Sequence, residues 1–112
     1  MIELLVLILI AYVVGSTPTS IIVSKLKYNK DIREHGSGNA GATNIFRTFG
    51  WKPALFVTLV DVFKGWLPAY VAGHLNSDSI LFNSNPDALM IIAGFAAVLG
   101  HTYTVFAGFK GG

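Results

Sequence analysis

Three stretches of this chain are too long and too poor in charge to suit a water-soluble fold. Leu4 to Val23 is a run of 20 residues with no formal charge, the length a helix needs to cross a hydrocarbon core of roughly 30 Å. Trp51 to Ala72 is again mostly apolar, and Ala88 to Phe109 is a third stretch without formal charges. Apolar runs of this length read as membrane-spanning helices. The expected fold class is therefore an all-α integral membrane protein with three transmembrane helices, at about 4–23, 51–72 and 88–109. Composition agrees: hydrophobic residues make up 53% and charged residues 12%, about half the roughly 25% of ordinary globular chains.

A cleaved leader is the rival reading of the first run. Glu3 stands where a basic flank would be, and no clear small-x-small cleavage site follows, so an uncleaved span is expected. The second half of that run, GSTPTS (Gly15–Ser20), is too polar to face lipid and should pack against protein or line a cavity. Asn85-Pro86-Asp87 reads as a stop-and-cap signal before the third span.

Charge placement gives an orientation. Residues 24–52 hold six basic side chains (Lys25, Lys27, Lys30, Arg33, Arg47, Lys52) against two acids, Asp31 and Glu34, leaving +4. Residues 73–87 contain no Lys or Arg. The excess of positive charge on cytoplasmic loops then places the loop 24–50 inside, the N-terminus and the loop 73–87 outside, and Lys110 inside again.

The cytoplasmic loop contains HGSGNAGATNIFR, His35 to Arg47. Gly36, Gly38 and Gly41 allow close backbone approach and positive φ. Ser37, Asn39, Thr43 and Asn44 add hydroxyl and amide donors, and Arg47 closes the run with a guanidinium able to grip an oxyanion with two hydrogen bonds. Such a stretch is either a Gly/Asn/Ser-rich turn or a cradle for phosphate, and its position between two membrane spans favours the cradle.

Other candidates are more ambiguous. Asp61 and Lys64 lie i, i+3 on one helix face. They form either a self-neutralised structural pair, or one in which Lys64 snorkels, or, with Gly65 and Pro68 interrupting the helix, a site to which Lys64 brings positive charge. His101, near the inner end of the third span, is either a hydrogen-bonding group at a helix end or part of a site. Lys110, Gly111 and Gly112 resemble the opening of a second phosphate loop, while His74 falls on the outer side with no role. The sequence has no GxSxG, GxxxxGK[ST] or HExxH pattern. No carboxylate stands five positions after any histidine, where Ala40, Ser79 and Phe106 are found instead. The absence of cysteine removes disulfide and thiol chemistry, and three scattered histidines form no metal cluster.

GSGNAGATNIFR (Gly36–Arg47), DVFKG (Asp61–Gly65) and GHTYTVFAGFKGG (Gly100–Gly112) resemble the successive motifs of the PlsY family, bacterial membrane glycerol-3-phosphate acyltransferases that use acyl-phosphate. The resemblance covers essentially the whole chain with order and spacing kept. It implies transfer of a fatty acyl group from acyl-phosphate to the 1-hydroxyl of glycerol 3-phosphate, giving lysophosphatidic acid and phosphate, the first step of phospholipid synthesis. It implies a location in the bacterial inner membrane, no cofactor, no metal and no nucleic-acid partner. By the same resemblance Ser37 and Arg47 match the family's essential serine and arginine, and His101 joins them as a candidate catalytic group. Gly38, Asn39, Gly41, Thr43 and Asn44 match donors lining a phosphate site. Lys110, Gly111 and Gly112 match the opening of the glycine-rich loop associated with glycerol 3-phosphate, and Lys64 is a further candidate phosphate ligand.

The chain also departs from the family pattern. Members have roughly twice this length and about seven spans, each needing a stretch of the kind described above. The later segment with a histidine and an asparagine important for activity has no counterpart here, and Thr104 stands where proline is common. The chain is thus expected to be the first part of such a bundle, truncated at its C-terminal side. Two alternatives belong to other classes: an anion-binding membrane fragment without turnover, and a small structural or channel-like membrane protein.

Overall fold

Pro18 decides the shape of the first span. It has no N–H to offer the preceding turn, and it disfavours helical backbone at Thr17. The computed structural model describes residues 2–75 and 85–112. In it the N-terminal run is a broken helix: α1 covers Ile2–Gly15 and α2 covers Thr19–Tyr28. The span expected over about 4–23 is thus a helix broken at Ser16–Pro18 that continues to Tyr28. Two carbonyls at the break are taken up by distant side chains. Lys64 Nζ donates to the Thr17 carbonyl at 2.7 Å, and the Thr104 hydroxyl donates to the Ser16 carbonyl. Non-helical backbone at membrane depth is tolerated where protein satisfies it in this way. Ser16, Thr19, Ser20 and Ser24 are all buried along this segment.

After α2 the chain makes a short 3-10 turn at Ile32–Glu34 and the Gly-rich loop, then enters α3 at Ala42–Phe49 and α4 at Trp51–Gly73. Gly50, with φ +97°, makes the corner between these two helices without a linker. Helix α4 runs through Gly65 and Pro68, so the interruption that one of the readings of Asp61 and Lys64 invokes does not occur. The break lies in the first span instead, where Lys64 reaches it. Helix α5 spans Pro86–Thr102. Asn85 caps it as the sequence suggests, its side-chain oxygen accepting the Ala88 N–H at 3.2 Å with Pro86 in the first turn. Of the loop expected over 73–87, residues 76–84 lie outside the described residues.

Beyond Thr102 the chain turns through a second 3-10 segment, Val105–Ala107, and doubles back. The Gly111 N–H then donates to the Thr102 carbonyl at 2.9 Å and the Gly112 N–H to the His101 carbonyl at 3.0 Å. These bonds satisfy carbonyls that the end of α5 would leave open. Glycine is required at 111, because a Cβ there would lie 2.0 Å from the His101 carbonyl oxygen.

Helix α5 packs against both α1 and α4. Its contact with α1 is close because small residues meet there. A Cβ on Gly15 would lie 2.0 Å from the Ala97 carbonyl oxygen, and one on Gly100 would lie 2.1 Å from that of Tyr12. Ala11, Ala72, Leu89, Ala93 and Ala96 form one buried cluster. A second cluster, Ile21, Ile32, Ile45, Ala54, Val57 and Ala107, lies where α2, α3 and α4 meet the loops. Leu5, Leu9, Leu59, Phe63, Ile91 and Phe95 are exposed on the outer faces, which suits a lipid surround. The described residues are all-helical, and three segments, Ile2–Tyr28, Trp51–Gly73 and Pro86–Ala107, are long and apolar enough to cross a membrane. The protein is an all-α integral membrane protein.

Candidate functional site

The Gly-rich loop is organised around one buried side chain. Asn44, 1% exposed, donates its amide to the carbonyls of Ile32 at 3.2 Å, His35 at 2.8 Å and Asn39 at 3.0 Å. Its Oδ1 accepts the Ser37 N–H at 3.1 Å. The chain can wrap this closely because Gly36 has φ +56° and a Cβ there would lie 2.1 Å from Asn44 Oδ1. The base of the loop is held separately. Ser24 Oγ accepts the Ile32 N–H at 3.1 Å, and Asp31 caps the 3-10 turn through the Arg33 N–H at 3.0 Å. Asp31 also pairs with the Arg33 guanidinium at 2.6 Å. Those side-chain hydrogen bonds outweigh partial burial and hold the carboxyl down from its ordinary 3.8 to about 2.

The loop delivers the N-terminus of α3 to a groove. Gly41 precedes the helix without a side-chain cap, so the first N–H groups of α3 remain available to an anion. The polar part of the groove, about 360 Å³, is lined by Asn39, Gly41, Ala42 and Thr43 from the loop and α3. Thr58, Asp61 and Val62 of α4, His101 and Gly112 complete it. It adjoins an apolar part of about 440 Å³ that shares Ala42, Thr43 and Thr58 and adds Phe46, Trp51, Ala54 and Leu55. One continuous depression thus has donors and charged groups at one end and hydrocarbon walls at the other.

Charge in the polar end is arranged in a line. Asp61 Oδ1 lies 3.0 Å from Lys64 Nζ and 3.9 Å from His101 Nδ1, and it is buried without a hydrogen bond among the described residues. Lys64 is 6% exposed, with its ammonium directed at Asp61 and the Thr17 carbonyl. It sits behind Asp61 and does not line the groove.

The residues singled out in the sequence fall into three groups. Asn39, Gly41, Thr43, His101 and Gly112 meet in the groove. Asn44, Lys64 and Gly111 are occupied with backbone carbonyls or an internal ion pair and act on the framework. Ser37, Gly38, Arg47 and Lys110 are exposed and are not among its lining residues. Ser37 Oγ accepts the Asn39 N–H at 3.3 Å, and Gly38 takes φ +77°. Arg47 follows Thr43 by one helical turn and thus stands on the same side of α3.

Sequence reasoning missed Thr58 and the approach of Asp61 to His101. Trp51, Ala54, Leu55, Thr58, Asp61 and Val62 recur at helical spacing along one face of α4, a signal obscured by the apolar character of the whole segment. The Asp61–His101 contact joins two helices across 40 positions, and local spacing carries no trace of it.

Comparison with known proteins agrees with this architecture. Residues 5–112 match the family model for glycerol-3-phosphate acyltransferase. The glycerol-3-phosphate acyltransferase of Chlorobaculum tepidum is 53% identical over 115 aligned positions, covering 100% of this chain and 50% of that protein. That of Chlorobium phaeobacteroides is 51% identical, with 100% and 49% covered. A crystal structure of PlsY, an integral membrane glycerol 3-phosphate acyltransferase in its glycerol 3-phosphate form, superposes with a TM-score of 0.80 at 39% identity. It covers 98% of this chain and 51% of that one. The lysophosphatidic acid form gives a TM-score of 0.75 at 36% identity. The chain spans about half the length of the curated relatives it matches.

Proposed function

Because the chain belongs to the glycerol-3-phosphate acyltransferase family, we propose that its groove binds the reactants of acyl transfer from acyl-phosphate to the 1-hydroxyl of glycerol 3-phosphate. The products are lysophosphatidic acid and inorganic phosphate. The observation that carries this reading is the two-part groove, with the α3 N-terminus, Thr43, Asp61 and His101 at one end and Phe46, Trp51 and Leu55 at the other. A donor with a long tail needs such a surface, since its chain stays in lipid while its phosphate meets a water-soluble acceptor.

In the reaction the 1-hydroxyl oxygen attacks the carbonyl carbon of the acyl-phosphate. The bond from that carbon to the phosphate oxygen breaks, and phosphate departs with the electron pair. Phosphate is a good leaving group, so positioning and charge stabilisation are the main tasks. Arg47 and the N–H groups opening α3 hold phosphate oxygens, and Asn39 and Thr43 add donors. Ser37 acts as a binding hydroxyl, with no base beside it to make it a nucleophile.

The attacking hydroxyl gives its proton to a phosphate oxygen of a substrate. His101, 3.9 Å from Asp61, is the competing acceptor. The nearer partner of Asp61 is Lys64, at 3.0 Å. The chain is assigned to the bacterial inner membrane, with the Gly-rich loop cytoplasmic and the N-terminus external. Labelling of a cysteine placed at Ala40 by an impermeant reagent from outside the cell would overturn this orientation.

The test is an assay of the purified 112-residue chain with acyl-phosphate and glycerol 3-phosphate, beside a binding measurement with inorganic phosphate. Release of lysophosphatidic acid and phosphate is the expected result. Phosphate binding without turnover would favour an anion-binding membrane protein. Failure to bind phosphate at all would remove the groove as the site.

A further inference from the structure

A second groove, of about 510 Å³, lies against another face of α4, between its first turn and the end of α2. Ile22, Val23, Leu26, Pro53 and Phe56 form its walls, and among the described residues Lys27 and Lys52 are its only charged lining. It shares no residue with the groove described above. Leu26 is 81% exposed and Phe56 56%, so the slot is open along its side. The ammonium of Lys27 lies 5.7 Å from the Tyr28 ring centre and that of Lys52 5.8 Å from the Trp51 ring centre. Tyrosine and tryptophan at the ends of spans mark the level of lipid headgroups. Neither lysine has an ion-pair partner among the described residues, and the nearby acid Asp31 is held by Arg33 and Lys25.

We propose that this groove is a binding site for an anionic membrane phospholipid. The phosphodiester is held by Lys27 and Lys52, and one acyl chain lies along Ile22, Leu26 and Phe56. Charge complementarity selects the headgroup, since two cations face no carboxylate in the groove. The hydrocarbon walls select an acyl chain over a soluble anion, because a free phosphate would leave them exposed. A peptide would bury its backbone polar groups against walls that offer no hydrogen-bond acceptor.

Native mass spectrometry of the purified full chain in detergent, titrated separately with phosphatidylglycerol and phosphatidylcholine, tests the site. The wild-type chain is expected to retain phosphatidylglycerol in preference to phosphatidylcholine. The Lys27→Gln/Lys52→Gln variant is expected to lose about ten- to thirty-fold in affinity for the anionic lipid. Both lysines are exposed, so the fold should survive. A Lys25→Gln/Lys30→Gln variant, equal in net charge, should bind within about two-fold of wild type, well inside one kcal/mol. Equal loss in the two variants would assign the attraction to diffuse loop charge and overturn the site, as would an absence of preference between the lipids. Displacement of the bound lipid by inorganic phosphate alone would overturn it as well.

Discussion

The ammonium of Lys64 donates to the carbonyl of Thr17 at 2.7 Å while lying 3.0 Å from the carboxylate of Asp61. One side chain on α4 therefore fastens the break in the first span and neutralises an acid at the groove. Replacing it with methionine leaves Asp61 without its nearest cation and a carbonyl without its donor. Lys64→Met is expected to destabilise the chain by about 3–5 kcal/mol, read as a lowered thermal midpoint in detergent. A midpoint equal to wild type would show that the pair is dispensable to the fold.

Arg47 is exposed and has no partner among the described residues, so its replacement should spare the fold. A guanidinium holds phosphate with two parallel hydrogen bonds that an ammonium cannot reproduce. Arg47→Lys is expected to weaken glycerol 3-phosphate binding and turnover by about 10- to 100-fold, with an unchanged thermal midpoint. Near-normal kinetics would take Arg47 out of the site.

Asn44 and Gly36 form a single device, and either substitution should release the loop. Asn44→Ala leaves three backbone carbonyls without their shared donor, at an expected cost of about 1–3 kcal/mol. Gly36→Ala meets both a positive φ and the Asn44 oxygen. In each variant hydrogen exchange should accelerate across residues 35–41 while α4 and α5 stay protected. Unchanged protection of the loop would refute the account of Asn44 as its organiser.

Asp31 carries a pH dependence of known sign. Its carboxyl is held near 2 in the folded chain against an ordinary 3.8, so the folded state favours the charged form. The stabilisation is complete above about pH 4 and fades as pH falls toward 2. Asp31→Asn should abolish that acid limb in proteolytic protection of the 3-10 turn, Ile32–Glu34. An acid limb that persists in the variant would point to another group.

Replacing all three histidines together separates the two proton acceptors. If a substrate phosphate takes the proton, a chain without His35, His74 and His101 keeps measurable turnover. Complete loss of turnover with retained glycerol 3-phosphate binding would count against a substrate phosphate as the acceptor.

Much of this molecule is written locally. Long apolar runs announce the spans, Asn85-Pro86 announces the start of α5, and the spacing of Gly36, Gly38 and Gly41 announces a tight loop. What stayed hidden depends on residues far apart in the chain. Asn44 reads as one more donor in a polar stretch, and only the fold shows its amide turned inward to backbone carbonyls. Lys64 reads as a candidate phosphate ligand because composition cannot say which way a cation on a span will point. The Ser16–Pro18 break is not legible locally, for a similar reason. A proline in an apolar run can be a kink or a full interruption, and the outcome rests on whether Lys64 and Thr104 arrive to satisfy the carbonyls.

The close seam between α1 and α5 has a further consequence. Gly100 touches the backbone of Tyr12 immediately before His101, so the height of the imidazole in its groove is set by the opposite helix. A single methyl added at Gly15 or Gly100 would wedge the two rods apart and shift His101 away from Asp61. Harmful variants in this protein should therefore cluster at a helix crossing that no reactant visits, as well as around the reacting groups.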